Sequence, residues 1–80
     1  MKELISLTSE HFEIINKAKK ALGKLWVFDS LKIYESEKYY TVITQSDIDK
    51  SVTRTNIGKI HWRVVDSYYH KSGEEEKRIK

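Results

Sequence analysis

Apolar and polar positions alternate most clearly between Leu25 and Gln45, in the stretch LWVFDSLKIYESEKYYTVITQ, which holds five of the nine aromatic residues. A period of two predicts a β-hairpin. Leu25, Val27, Leu31 and Ile33 share one side, interrupted by Asp29, and Tyr40 and Val42 join that side after a turn at Ser36-Glu37. This register sets Glu35 against Lys38, Tyr34 against Tyr39, Ile33 against Tyr40 and Leu31 against Val42. Such cross-strand pairs contribute about 0.2–1 kcal/mol each, and a slip of one residue would mix the two faces. The turn lacks Asn-Gly, so a longer loop across Glu35–Lys38 is the alternative. The second face carries Trp26, Phe28, Lys32, Tyr34 and Tyr39. Trp and Phe on a solvated sheet face predict that something covers them.

A spacing of three and four replaces the alternation over Leu7–Leu22 and predicts a helix. Phe12, Ile15, Ala18 and Leu22 form its apolar stripe, widened by Ile14 and Ala21. Thr8 is placed to cap it, with Leu7 and Phe12 at the two positions of a hydrophobic staple. Glu10 and Glu13 lie near the positive end of the dipole, and Lys17, Lys19 and Lys20 near the negative end. Gly23 stands where a left-handed residue ends a helix. The predicted acceptor for the stripe is the Leu25/Val27/Leu31/Ile33 face. Met1–Ser6 fits a short strand or a further helical turn equally well.

Gln45–Lys50 reads as a turn in which Ser46 and Asp49 resemble a capping box. Asp47 and Asp49 lack the glycine and glutamate that an EF-hand loop requires, so no cation site is expected there. Ser51–Ser67 reads as a second hairpin around Asn56-Ile57-Gly58, a three-residue loop with glycine at the bulge. That loop pairs Val52 with Trp62 and Arg54 with Ile60. Its core side is Val52, Ile60, Trp62 and Val64 with Arg54 at the rim, and Thr53 and Thr55 face outward with Lys59, His61 and Arg63. The adjacent Val64-Val65 predicts a central or bulged last strand.

The expected fold is therefore α+β: one N-terminal helix packed on one face of a roughly four-stranded antiparallel sheet made of two hairpins. Residues 1–70 form a single domain, and 71–80 (KSGEEEKRIK) a solvated, flexible tail. Many small domains share this helix-then-meander order, cystatin-like and PepSY-like ones among them, and no function follows from so generic a match.

Composition narrows the chemistry. Eighty residues allow one small core, and the absence of cysteine removes disulfides and thiolate metal sites. The longest apolar run is Leu25–Phe28, far short of the ~20 residues of a spanning helix. The N-terminus holds no apolar core of a secretory signal, so the expected location is the cytoplasm with no membrane partner. Formal charge is +3, from 15 basic and 12 acidic residues, which is weak steering for a polyanion. Lysine outnumbers arginine twelve to three, and arginine is the usual bidentate reader of phosphate and guanine.

His11, His61 and His70 fall on helix, strand and tail without metal-binding spacing, and Gly23, Gly58 and Gly73 are too far apart for a phosphate loop. No serine sits in a nucleophile elbow. The expectation is a non-enzymatic domain with no catalytic residue, metal or cofactor. The outer sheet face is the candidate site: Trp26, Phe28, Lys32, Tyr34, Tyr39, Lys59, His61 and Arg63. Aromatic residues with few acids favour a protein partner or a second copy of the chain, in a regulatory, inhibitory or adaptor role. A single-stranded nucleic acid stacking on the same face is the alternative.

Overall fold

One helix, α1 (Ser9–Leu22), lies on one face of a six-stranded antiparallel sheet in the computed structural model, which describes Met1–Lys80. The strands are β1 (Lys2–Glu3), β2 (Ser30–Glu35), β3 (Tyr39–Gln45), β4 (Val52–Gly58), β5 (Arg63–His70) and β6 (Lys77–Arg78), paired in sequence order. The α+β class is as expected, with six strands instead of four. The two additions are charged dipeptides at the sheet edges, β1 on β2 and β6 on β5. Short charged edge strands blunt a sheet against further pairing. Two residues carry no alternation, so no pattern announces them. Every residue of 71–80 is exposed, yet Lys77–Arg78 pairs with Tyr68–Tyr69, and Ser67 exchanges backbone bonds with Ile79 and Lys80.

The helix ends are where the sequence puts them. Thr8 caps α1 in extended backbone, and its N–H donates to His11 Nδ1 at 3.0 Å. Gly23 closes the helix with φ 55°, a left-handed value that favours glycine. The apolar stripe is turned from the expected one. Ile14, Ala18 and Leu22 are buried, while Phe12 is 57% exposed. The helix lies over β3, β4 and β5 rather than centred on the first hairpin alone, so His11 meets Tyr40 edge-on at 6.0 Å while Phe12 is exposed.

The first hairpin keeps its faces but not its register. Ile33 pairs with Val42 and Tyr34 with Thr41, two residues further along than expected. Ser36 sets this longer loop, its N–H bonding Tyr39 O at 2.9 Å and its Oγ bridging to the Tyr39 backbone. A shift of two restores every side chain to its side. Ile33, Tyr40 and Val42 are buried in one cluster with Ile14, Ala18 and Ile57.

The strand itself starts late. Leu25, Trp26, Val27 and Phe28 were expected on the strand, but Gly23–Leu25 is a 3₁₀ turn and local bonds from Trp26 to Gly23 and Val27 to Leu25 use the backbone donors. Trp26 packs against the core cluster, with the Phe28 ring edge-on at 4.9 Å, and Val27 is 66% exposed.

The second hairpin is inverted. Asn56-Ile57-Gly58 is strand, and the turn is Lys59–Trp62 with Trp62 at φ 52°. A bulge at Asn56/Ile57 leaves Val65 extra, as the Val64-Val65 pair suggests. Thr53, Thr55 and Ile57 face α1, while Val52, Arg54 and Asn56 face outward. The hydroxyls of Thr44 and Thr53 bond each other, and those of Thr55 and Ser67 are sealed without a partner. A buried unpaired hydroxyl costs about 1–3 kcal/mol, and an unpaired buried guanidinium far more, so this register wins over one that turns Arg54 inward. Trp62 still reaches the core from the turn, edge-on to Tyr40 at 6.0 Å, whereas Ile60 is exposed.

Candidate polyanion-binding track

Three concavities lie along one flank of the molecule. The first, of about 240 Å³, opens at the end of the sheet where the β2–β3 and β4–β5 turns meet. Lys59 N–H donates to Lys38 O at 3.0 Å and ties the two turns together. Lys38, Tyr39, Ile60, His61, Arg63 and Val65 line it, with Lys59 and Gly58 at its floor. A Cβ on Gly58 would stand 3.3 Å from the Val65 side chain, so glycine leaves that floor open. The second, of about 520 Å³, separates α1 from β5 and is lined by Lys17, Lys20, Ala21, Arg63, Val64 and Lys80. The third lies at the end of α1 against Asn16, Lys19, Lys20 and Gly23.

Arg63 belongs to the first two and Lys20 to the last two, so each concavity shares a lining residue with the next, and the three together are called the track. Seven lysines and arginines line it, and none of the twelve acidic residues does. Lys59 alone among the seven has an ion pair, with Glu35 at 2.6 Å, and it also sits over the Tyr40 ring. The bond from Lys59 holds the Glu35 carboxyl below its usual range, and the same bond raises the Lys59 ammonium. The other six cations stand without a carboxylate partner. Lysines in the last turn of a helix answer its dipole, but that dipole amounts to about half a charge. Arg63, Lys38 and Lys80 lie outside α1 altogether.

The outer sheet face is built differently. Thr41 donates to Asn56 Oδ1 at 2.7 Å, and Asn56 donates to Asp66 Oδ1 at 2.6 Å. Arg54 bonds Glu76 at 2.9 Å and covers the Tyr68 ring, and His70 stands 3.9 Å from the same carboxylate. Arg54, Asn56 and Thr41 are thus paired within the chain.

Of the eight residues expected to form one face, Tyr39, Lys59, His61 and Arg63 do converge, at the end of the sheet. Lys32 and Tyr34 lie on the outer face of β2, and Trp26 and Phe28 precede that strand. The sequence reading missed Lys17, Lys19, Lys20, Lys38 and Lys80, whose only signals were a dipole role, a charge beside a turn or tail composition. No cluster of three or more metal-ligating side chains occurs, and no helix is long and apolar enough to cross a membrane. The chain matches no protein-family model, and no curated protein or solved structure matches it. The residues themselves carry the functional reading.

Proposed function

We propose that this chain is a binding module for single-stranded nucleic acid, held along the track from Gly23 to Tyr39. The supporting observation is the set of six unpaired cations in concavities that share lining residues, with no aspartate or glutamate side chain among them. Clustered like charge is unfavourable in the free protein and is relieved by a polyanion. The track turns over the end of the sheet, a path open to a flexible strand, and Tyr39 supplies a ring on which a base can stack. Lysines following phosphates give affinity without sequence readout, with a dissociation constant in about the 10⁻⁴–10⁻⁶ M range at physiological salt.

An acidic protein segment is the second reading, favoured by Ile60 and Val65, which are exposed beside the cations. The expectation of a protein partner drew on the aromatic residues Trp26, Phe28, Tyr34 and Tyr39, of which Tyr39 lines the track and Trp26 and Phe28 precede β2. Fluorescence anisotropy with labelled dT12 tests the proposal through a matched pair of charge reversals. Lys20→Glu on the track is expected to weaken binding about tenfold, and Lys32→Glu off the track by less than about twofold. Equal losses in the two variants would mean that net charge, not the track, attracts the strand. Failure of dT12 to compete with a bound acidic peptide would favour the second reading.

A further inference from the structure

The concavity between α1 and β5 gathers more positive charge than a nucleic-acid strand can answer. We infer that it is also a site for a compact polyphosphate, the phosphoryl chain of tripolyphosphate or of a nucleoside triphosphate. Such a site shares cations with the strand but does not depend on the nucleic-acid reading. Lys17 and Lys20 line it from α1, Arg63 from β5, and Lys80 from the segment after β6. Backbone bonds fix that segment: Ile79 N–H donates to Ser67 O at 2.7 Å, and Ser67 N–H to Lys80 O at 3.1 Å. Three cations remain even without Lys80, whose main-chain oxygen also accepts from Arg78 Nε at 3.0 Å. No aspartate or glutamate side chain lines the concavity, and none of the four basic side chains forms an ion pair.

Charge density selects the ligand. A nucleic-acid strand presents one charge per phosphodiester, with a sugar between successive phosphates. The volume, about 520 Å³, lies within the roughly 300–1,000 Å³ of small-ligand sites and admits about one or two nucleotides. Their diester charges are outnumbered by the cations around them. A phosphoryl chain carries charge on every phosphoryl group with only a bridging oxygen between them, so it matches three or four cations in the same space. Lysine meets phosphate as a point charge and arginine bidentately, and both are present. The remaining walls are Ala21 and Val64, which neither stack on a base nor read its edge. Recognition therefore falls on the phosphoryl chain, with any nucleoside left outside.

Isothermal titration calorimetry with inorganic tripolyphosphate, ATP and orthophosphate, without divalent cations, tests the site. Tripolyphosphate should bind about tenfold or more tighter than orthophosphate, and ATP within about tenfold of tripolyphosphate. A wider gap for ATP in either direction would overturn recognition through the phosphoryl chain alone. Lys17→Glu and Lys38→Glu change net charge equally, but only Lys17 lines this concavity. Lys17→Glu should weaken tripolyphosphate about tenfold and Lys38→Glu less than about twofold, while both weaken dT12. Lys17 is half-buried, so Ala21→Glu serves as a second variant. Glutamate is a good helix former, and it places a carboxylate in the concavity without removing a cation; tripolyphosphate should again weaken about tenfold. Tripolyphosphate binding no tighter than orthophosphate, or equal losses in Lys17→Glu and Lys38→Glu, would overturn the inference and leave dT12 binding standing. The expected tripolyphosphate pattern without dT12 binding would overturn the nucleic-acid reading alone.

Discussion

The outer face of the sheet and the flank beside α1 draw on the same residue types and dispose of them in opposite ways. On the outer face Arg54 is paired with Glu76, and Asn56 links Thr41 to Asp66. Along the flank Lys17, Lys19, Lys20, Lys38, Arg63 and Lys80 have no carboxylate partner. The difference teaches that net charge is a poor guide to a binding surface. A formal +3 is the difference of 15 cations and 12 anions, and what matters is that none of the anionic side chains lines the track.

The contrast breaks most directly at the two residues that join the concavities. Lys20→Glu with Arg63→Glu should lower affinity for dT12 by about 100-fold, the sum of two reversed phosphate contacts, measured by anisotropy. The same double variant should unfold at an unchanged or higher urea midpoint, because it removes repulsion and no pairing. A loss of stability would mean that these side chains pack rather than bind.

Asn56→Ala has the reverse signature. It removes both bonds of the Thr41–Asn56–Asp66 row and should lower stability by about 1–2 kcal/mol in urea unfolding, with affinity for dT12 unchanged. Weakened binding without lost stability would place the ligand on the outer face after all.

The Glu35–Lys59 pair lies between the two regions and gives a smaller, pH-dependent effect. Glu35 is depressed below its ordinary 4.5, so its contribution is present above that value and is lost as pH falls through the folded value. Lys59 is raised above its ordinary 10.5, so its contribution is present below that value and is lost as pH rises past the folded one. Glu35→Gln should therefore lower the melting temperature at pH 7 and flatten its decline below pH 4.5. An acid limb identical to wild type would show that other carboxylates govern it.

Where apolar alternation was strong, the sequence was enough to place a face even when it misplaced a turn. The first hairpin slid by two residues, and Ile33, Tyr40 and Val42 stayed inside. In β4 the choice lay between a Val/Arg/Asn side and a Thr/Thr/Ile side, which hydropathy alone separates weakly. The Asn56-Ile57-Gly58 turn signal then decided it wrongly, because Gly58 serves the close approach of Val65 and not a left-handed bend. Phe12 shows the same limit on α1, since two overlapping stripes differ by about one residue of rotation. Phe12→Ala is accordingly expected to shift stability by no more than about 0.5 kcal/mol in the same urea assay, the smallest effect here.

Half of the site was legible for a related reason. Tyr39, Lys59, His61 and Arg63 stand close to two turns that meet through the Lys59–Lys38 backbone bond. Lys17, Lys20 and Lys80 join them only because α1 lies against β5 and β6 brings Lys80 alongside, contacts that no local pattern encodes.

The central claim is that six unpaired cations on this flank hold the phosphates of a single strand. The dependence of dT12 affinity on salt tests it most directly, since each neutralised phosphate contributes about −0.7 to the slope of log K against log salt. Four to six contacts predict a slope of about −3 to −4, falling in magnitude by about 1.4 in the Lys20→Glu/Arg63→Glu variant. A slope near zero, or one that the double variant leaves unchanged, would contradict the account.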